Sequence, residues 1–221
     1  WPILAEPRAR CAASIRHFDS LVRNPSFADA HRPEVVVRIG EPPASKVLNQ
    51  WLKSCGAEQI HVAADDKYFD PDHRLARRLV SDIDDLASRL AAQVRPASKP
   101  WLAEWTVAED RASLAVDDLL GSSNEASGPG VARLLGGALP EGAHIVVSSS
   151  MPVRDLEWFG GDLGEVTVHS NRGANGIDGV MATAIGVARA TARPVVAWLG
   201  DVAFVDRKST RLNSSHANIS Y

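Results

Sequence analysis

The chain is short of cysteine, of net charge and of long apolar runs, and each shortage closes off a class of protein. Only Cys11 and Cys55 occur in 221 residues, with no C-x-x-C pair, so both are expected as reduced thiols in a cytoplasmic protein. A net charge of −3 offers no ground for a nucleic-acid partner or a membrane surface. No apolar stretch approaches the ~18 residues of a spanning helix. Glu6, Arg8 and Arg10 stand too early for a secretory signal, and the start at Trp1 rather than Met is expected of a truncation. G-x-S-x-G is missing, and no neighbouring His–Asp pair backs Ser148, Ser149 or Ser150, which excludes a hydrolase triad. Gly40 lacks the further glycines of a dinucleotide fingerprint. The acidic loop of Asp65, Asp66, Asp70, Asp72 and His73 lacks EF-hand spacing, so a solvated loop is expected. No internal repeat is present.

What remains is a chain with 45% apolar and 23% charged residues, ordinary for a globular protein of one large or two small domains. Glu34 to Ile39 is a β-branched run ending at Gly40. Pro42 and Pro43 lead into a helix from Ser45 to Ser54, with Val47, Leu48, Trp51 and Leu52 on one face. Gly56 suits its C-cap, and Gln59 to Ala63 makes the next strand. Strand, helix, strand is the crossover unit of a parallel sheet. Helices are expected around Ala12 to Val22, from Arg74 to Val94 and from Trp101 to Leu120, with a break at Pro96, Ser98, Lys99 and Pro100.

Beyond the Gly/Ser-rich stretch 121–130 the pattern repeats. A short helix, Val131 to Leu139, precedes a strand from His144 to Ser148, and a helical segment begins near Pro152. A strand from Glu165 to His169, a helix from Ile177 to Ala190 and a strand from Pro194 to Leu199 follow. The expected fold is α/β with two doubly wound parallel-sheet domains, both incomplete. Residues 1–97 form the first α/β domain, 98–130 a helical linker and 131–205 the start of a second domain. Residues 206–221 form an unrelated polar tail without helix or strand period, resembling a vector-derived translation product.

Three strands of the second region each run into a polar loop: Ser149 to Arg154, Ser170 to Asn175, and Gly200-Asp201. In an open parallel sheet such loops share the carboxyl edge, where ligands bind. Arg172, flanked by Gly173 and Gly176, and Arg154, in the loop after Ser150, are guanidinium forks suited to carboxylates. Either arginine equally suits a surface or capping role. Asp201 follows a buried apolar run, where a carboxylate holds Mg²⁺ beside phosphates, or serves a strand-to-helix turn or N-cap. Ile177 either supports a cofactor ring or, as spacing alone favours, begins the buried face of the helix.

The block Ser170-Asn171-Arg172-Gly173-Ala174-Asn175-Gly176-Ile177-Asp178-Gly179 resembles the 2-succinyl-5-enolpyruvyl-6-hydroxy-3-cyclohexene-1-carboxylate synthases, thiamine-diphosphate enzymes of menaquinone biosynthesis. Ser150-Met151-Pro152-Val153-Arg154-Asp155 and Gly200-Asp201-Val202-Ala203-Phe204-Val205 carry the same likeness, which runs over nearly all of residues 1–205. Residues such as Ile15-Arg16-His17-Phe18-Asp19 and Arg23-Asn24-Pro25 are similar to the family's middle domain, and 131–205 to the start of its diphosphate-binding domain.

The resemblance implies a transferase that decarboxylates 2-oxoglutarate and adds the succinyl carbanion to isochorismate, with thiamine diphosphate and Mg²⁺ (or Mn²⁺) as cofactors. It implies Ser150, Arg154 and Arg172 at the substrate, and Asn171, Gly173, Gly176, Ile177, Gly200 and Asp201 at the cofactor. Asp201 would be the metal ligand, and the whole enzyme a cytoplasmic homodimer or homotetramer. No catalytic residue is expected in this stretch, because the family's activating glutamate belongs to an N-terminal domain without counterpart here. The family's second metal ligand, an asparagine, also has none, so the chain alone is expected to be inactive. The alternatives are another thiamine-diphosphate enzyme of 2-oxoacids, such as an acetohydroxyacid synthase, and a non-catalytic Rossmann-like anion-binding module.

Overall fold

Asn24 and Ser45 punctuate the first part of the chain, each turning a side-chain oxygen onto the free N–H groups of a helix start. The computed structural model describes residues 1–11, 13–66, 68, 70–95, 100–122, 125–171 and 177–205. These divide into two units, one made of Trp1–Pro2 with Phe18–Asp110, the other of Ile3–His17 with the chain from Arg111. No helix among the described residues is long and apolar enough to cross a membrane.

In the first unit, α1 (Phe18–Arg23) buries Phe18, Asp19 and Val22. The Asp19 carboxylate tolerates burial because Arg23 Nε donates to it at 2.6 Å and the Ser45 hydroxyl donates to its other oxygen. Asn24 ends α1 and caps α2 (Pro25–Ala30), accepting from Ser26 and Phe27 N–H at 3.0 and 3.3 Å. Strand β1 (Val35–Ile39) stops at Gly40, whose φ of +75° favours a residue without Cβ. Helix α3 (Lys46–Ser54) is capped by Ser45, buries Leu48 and Trp51, and leads to β2 (Glu58–Ala63). Strands β1, β2 and β3 (Leu75–Val80) pair in that order, all parallel. Helix α4 (Ile83–Gln93) lies exposed. The long α5 (Pro100–Gly121), whose residues up to Asp110 belong to this unit, buries Trp105, which packs edge-on against Phe27 at 4.9 Å between ring centroids.

Two expected helices are corrected here. Residues 74–94 are not one helix but β3 followed by α4. Leu75-Ala76-Arg77-Arg78-Leu79-Val80 suits a helix locally, yet pairing with β2 decides its state, with Arg77 3.5 Å from Glu58 across the strands. Asp82 then starts α4 by accepting from Asp85 N–H. The helix expected at Ala12 to Val22 begins only at Phe18, because Ile15 is extended and pairs with Leu4; Ala12 itself lies outside the described residues. The acidic loop is not simply solvated either. Asp70 is buried and accepts from the N–H groups of Leu75 and Arg74, anchoring the entry to β3.

In the second unit, α6 (Gly128–Ala138) precedes β4 (His144–Val147) and α7 (Met151–Phe159). Then come β5 (Thr167–Ser170), α8 (Val180–Thr191), β6 (Val195–Trp198) and α9 (Asp201–Val205). The sheet order is β5-β4-β6, all parallel. The chain moves one way from β4 to β5 and returns past β4 to reach β6. With right-handed crossovers, that reversal puts α7 and α8 on opposite faces. The packing agrees. Ile145, Val147 and Val168 bury against Leu156 and Val153 of α7, while Val146 meets Val180 and Ala184 of α8. Helix α6 approaches the chain after α7 so closely that a Cβ on Gly136 would collide with the Asp162 carbonyl. Strand β5 starts two residues later than expected, after a turn in which Gly164 takes φ +52°.

Candidate functional site

Parallel register fixes where the three loops of the second unit emerge. Val147, last in β4, is paired with Ser170, last in β5, and with Trp198, last in β6. The strands therefore end level, and Ser148–Ser150, Asn171 and Leu199–Gly200 leave from one edge of this sheet. Ser148 N–H continues the ladder by donating to the Trp198 carbonyl at 2.9 Å. Ser149 Oγ donates to the main-chain carbonyl of Asn171 at 3.3 Å.

Ser150 carries φ 74° and ψ −130°, a backbone region that only glycine enters without strain. It stands at the N-cap of α7, yet its side chain makes no capping bond, so the exposed hydroxyl stays available. Arg154 belongs to α7 rather than to the loop expected from the sequence; it is exposed, with no ion pair to another described residue. Its neighbour Asp155 is buried against Gly128, and that burial raises its pKa above the ordinary 3.8. On the α8 face, His144 Nδ1 lies 3.0 Å from His169 Nε2; burial, then the charge of His144, lowers the His169 pKa below 6.5.

Where β5 ends, Ser170 Oγ and Asn171 Nδ2 are buried without a hydrogen-bond partner among the described residues. Buried donors of this kind are uncommon unless a ligand or water meets them. Asn171 Oδ1 in turn lies 3.1 Å from Thr183 Oγ1 of α8. Ile177 is 39% exposed in the turn ahead of α8, so it is not part of that helix's buried face, which begins at Val180. Asp201 is the first residue of α9, and one of its oxygens accepts from Val202 N–H at 2.8 Å. Gly200 and Asp201 border an open depression of about 420 Å³ with Met181, Ala197, Trp198, Leu199 and Phe204. Among the described residues no three His, Cys, Asp or Glu side chains gather to hold a metal ion. Asp201 would have to act with ligand oxygens and water, the habit of Mg²⁺.

Ser150, Arg154, Asn171, Gly200 and Asp201 thus stand on or just beyond one sheet edge. Arg172, Gly173 and Gly176 lie outside the described residues, as does the tail 206–221. Sequence reasoning named Ser149 and Ser170 only as the first residues of their loops, without a role, and missed Thr183. A hydroxyl on a loop or helix has no pattern of its own, and only its hydrogen bonds mark it.

A family model for the middle domain of thiamine pyrophosphate enzymes matches residues 1–146. The chain belongs to this family. It is also similar to curated proteins named 2-succinyl-5-enolpyruvyl-6-hydroxy-3-cyclohexene-1-carboxylate synthase. That of Rubrobacter xylanophilus is 39% identical over 214 residues, covering 93% of this chain and 37% of the relative. The protein from Myxococcus xanthus is 33% identical over 227 residues, covering 99% and 38%; that from Synechococcus elongatus is 34% identical over 213, covering 93% and 36%. The chain thus spans a little over a third of the length of the relatives it matches.

Proposed function

We propose that the chain is part of a thiamine-diphosphate-dependent synthase that decarboxylates 2-oxoglutarate and adds the succinyl unit to isochorismate in menaquinone biosynthesis. The observation that carries this reading is the level ending of β4, β5 and β6, with Val147 paired to both Ser170 and Trp198. It supports the grouping of Ser150, Arg154, Asn171 and Asp201 around one ligand. The described residues fit the cofactor's chemistry: buried donors at Ser170 and Asn171 without partners among the described residues, and the exposed Asp201 carboxylate beside an open depression.

When bound, thiamine diphosphate supplies the electron sink for decarboxylation. Arg154 binds one carboxylate of the keto acid through its guanidinium fork, and Arg172 binds a second. Ser150 Oγ hydrogen-bonds beside them. Ile177 braces the cofactor ring and Gly200 leaves the backbone open to it; Gly173 and Gly176 are further cofactor-binding positions in this reading. Asp201, with one oxygen engaged by Val202 N–H, offers the other to Mg²⁺ or Mn²⁺. The enzyme is cytoplasmic and acts as a homodimer or homotetramer in this reading.

The test is carbon dioxide release by the full-length protein, with 2-oxoglutarate and pyruvate offered side by side in the presence of isochorismate. Preference for 2-oxoglutarate is expected; preference for pyruvate would replace this reading with an acetohydroxyacid synthase-like one. The chain by itself is expected to release none. Tight metabolite binding without thiamine diphosphate or Mg²⁺ would instead indicate a non-catalytic anion-binding module.

A further inference from the structure

Two half-buried imidazoles face each other across β4 and β5, on the side of the sheet where α8 packs. His144 Nδ1 lies 3.0 Å from His169 Nε2, with the ring centroids 5.2 Å apart. The pairing is diagonal, since His169 stands level with Val146 and His144 with Thr167. Only one N–H fits between two facing ring nitrogens, so one ring donates and the other accepts. A proton added to this neutral pair goes to the outward nitrogen of the donating ring and leaves the bond intact, now charge-assisted. A second proton has only the accepting nitrogen left. It sets N–H against N–H and places two positive charges on adjacent rings.

The surroundings do nothing to offset that repulsion. β4, β5, β6 and α8 contain no aspartate or glutamate. On this face α8 lays down Val180, Ala184 and Val187, and β6 sets Val195 beside His144. The charged side chains of these neighbouring segments are cationic: Arg193, with its guanidinium against Gly142, and Arg189, exposed late in α8. Of the carboxylates in the turns before β4 and β5, Glu141 is exposed and Glu165 pairs with Arg10 at 3.0 Å. Burial first, and then the charge of His144, lowers the His169 pKa below 6.5. The stability such a histidine contributes is full above 6.5 and is lost as pH falls through its native value.

We propose that His144 and His169 form an acid-sensitive latch between β4 and β5, which accepts one added proton with its bond intact and parts when a second arrives. β5 is an edge strand with β4 as its only neighbour in the sheet, so it is the element that loosens. Ser170 and Asn171 follow His169 directly, and acid therefore frees that end of the rim. The consequence for ligand binding rests on the function proposed above; the latch itself does not.

Two measurements on the full chain without ligand test the latch. Nitrogen NMR of the two imidazoles should show the pair charging in two separate steps between about pH 8 and pH 5, and one step in which both rings charge together overturns the proposal. Amide exchange then reads the strands. Protection of the β5 amides should fall about tenfold relative to β6 across that range. In His144→Gln, which keeps a donor but gains no charge, β5 protection should stay level with β6. An equal fall in the variant, or a fall shared by β6 in the unaltered chain, overturns the proposal. If that variant does not fold, the NMR titration of the unaltered chain still decides.

Discussion

Ser149 Oγ donates to the main-chain carbonyl of Asn171 at 3.3 Å, so the loops leaving β4 and β5 are tied together two residues beyond β4 and one beyond β5. The bond lies at the reversal of strand order, where the loop after β4 leads to α7 on one face and the loop after β5 to α8 on the other. Tying them keeps Ser150 and the amide of Asn171 on the same rim.

Ser150 pays for its place with a glycine-like backbone at φ 74° and ψ −130°. Ser150→Gly is expected to raise stability by about 1 kcal/mol in urea denaturation, from relieved strain. Ser150→Ala should not. The glycine variant should also bind a keto acid more weakly, which calorimetry on the full-length protein reads.

Arg154 is exposed and makes no ion pair with another described residue. Arg154→Ala should therefore change stability by less than about 0.5 kcal/mol. It should reduce 2-oxoglutarate affinity by roughly tenfold or more, the loss of a charged hydrogen bond. A large fall in melting temperature would show that the guanidinium has a packing role instead.

Neighbouring glycines of α6 should respond oppositely. A Cβ at Gly136 collides with the Asp162 carbonyl, whereas one at Gly137 meets nothing within 4 Å. Gly136→Ala is expected to cost about 1–3 kcal/mol through overpacking against backbone. Gly137→Ala should gain up to about 1 kcal/mol from helix propensity. Chemical denaturation of the two variants checks both.

Two buried aspartates should tilt the pH–stability curve in opposite directions. Burial raises the Asp155 pKa, so its protonated form is preferred in the folded chain. That contribution is full below 3.8 and is lost as pH rises through the native value. For Asp70, burial acts upward, but hydrogen bonds from Leu75, Arg74 and Tyr68 and the charge of Arg38 outweigh it and lower the pKa. Its contribution is present above 3.8 and is lost as pH falls through the native value. Asp155→Asn should flatten the decline on the alkaline side of that point, and Asp70→Asn the decline on the acid side. Urea midpoints measured across acid pH would show either slope surviving its substitution.

Much of this fold was legible along the chain. Val35–Ile39, Lys46–Ser54 and Pro100–Gly121 fall where β-branched runs, Ser45 and helical periodicity put them. Residues 75–80 were not legible, because alanine, leucine and arginine favour a helix until β2 offers a partner. Ile15 was lost in the same way, to a bridge with Leu4. The candidate site was half legible: arginines and an aspartate after strands are visible as residue types, but the hydroxyls of Ser149 and Thr183 are not.

By itself the sequence determined the local vocabulary, since caps, turns and apolar periods act over a few residues. It also determined the likeness to thiamine pyrophosphate enzymes, which lies in contiguous blocks. Only the tertiary structure decided that Val147 stands level with Ser170 and Trp198, that Ser150 bears a strained backbone, and that Asn171 answers to Thr183. Register, strain and hydrogen-bond partnership depend on residues far apart in the chain, and distance in sequence carries no trace of them.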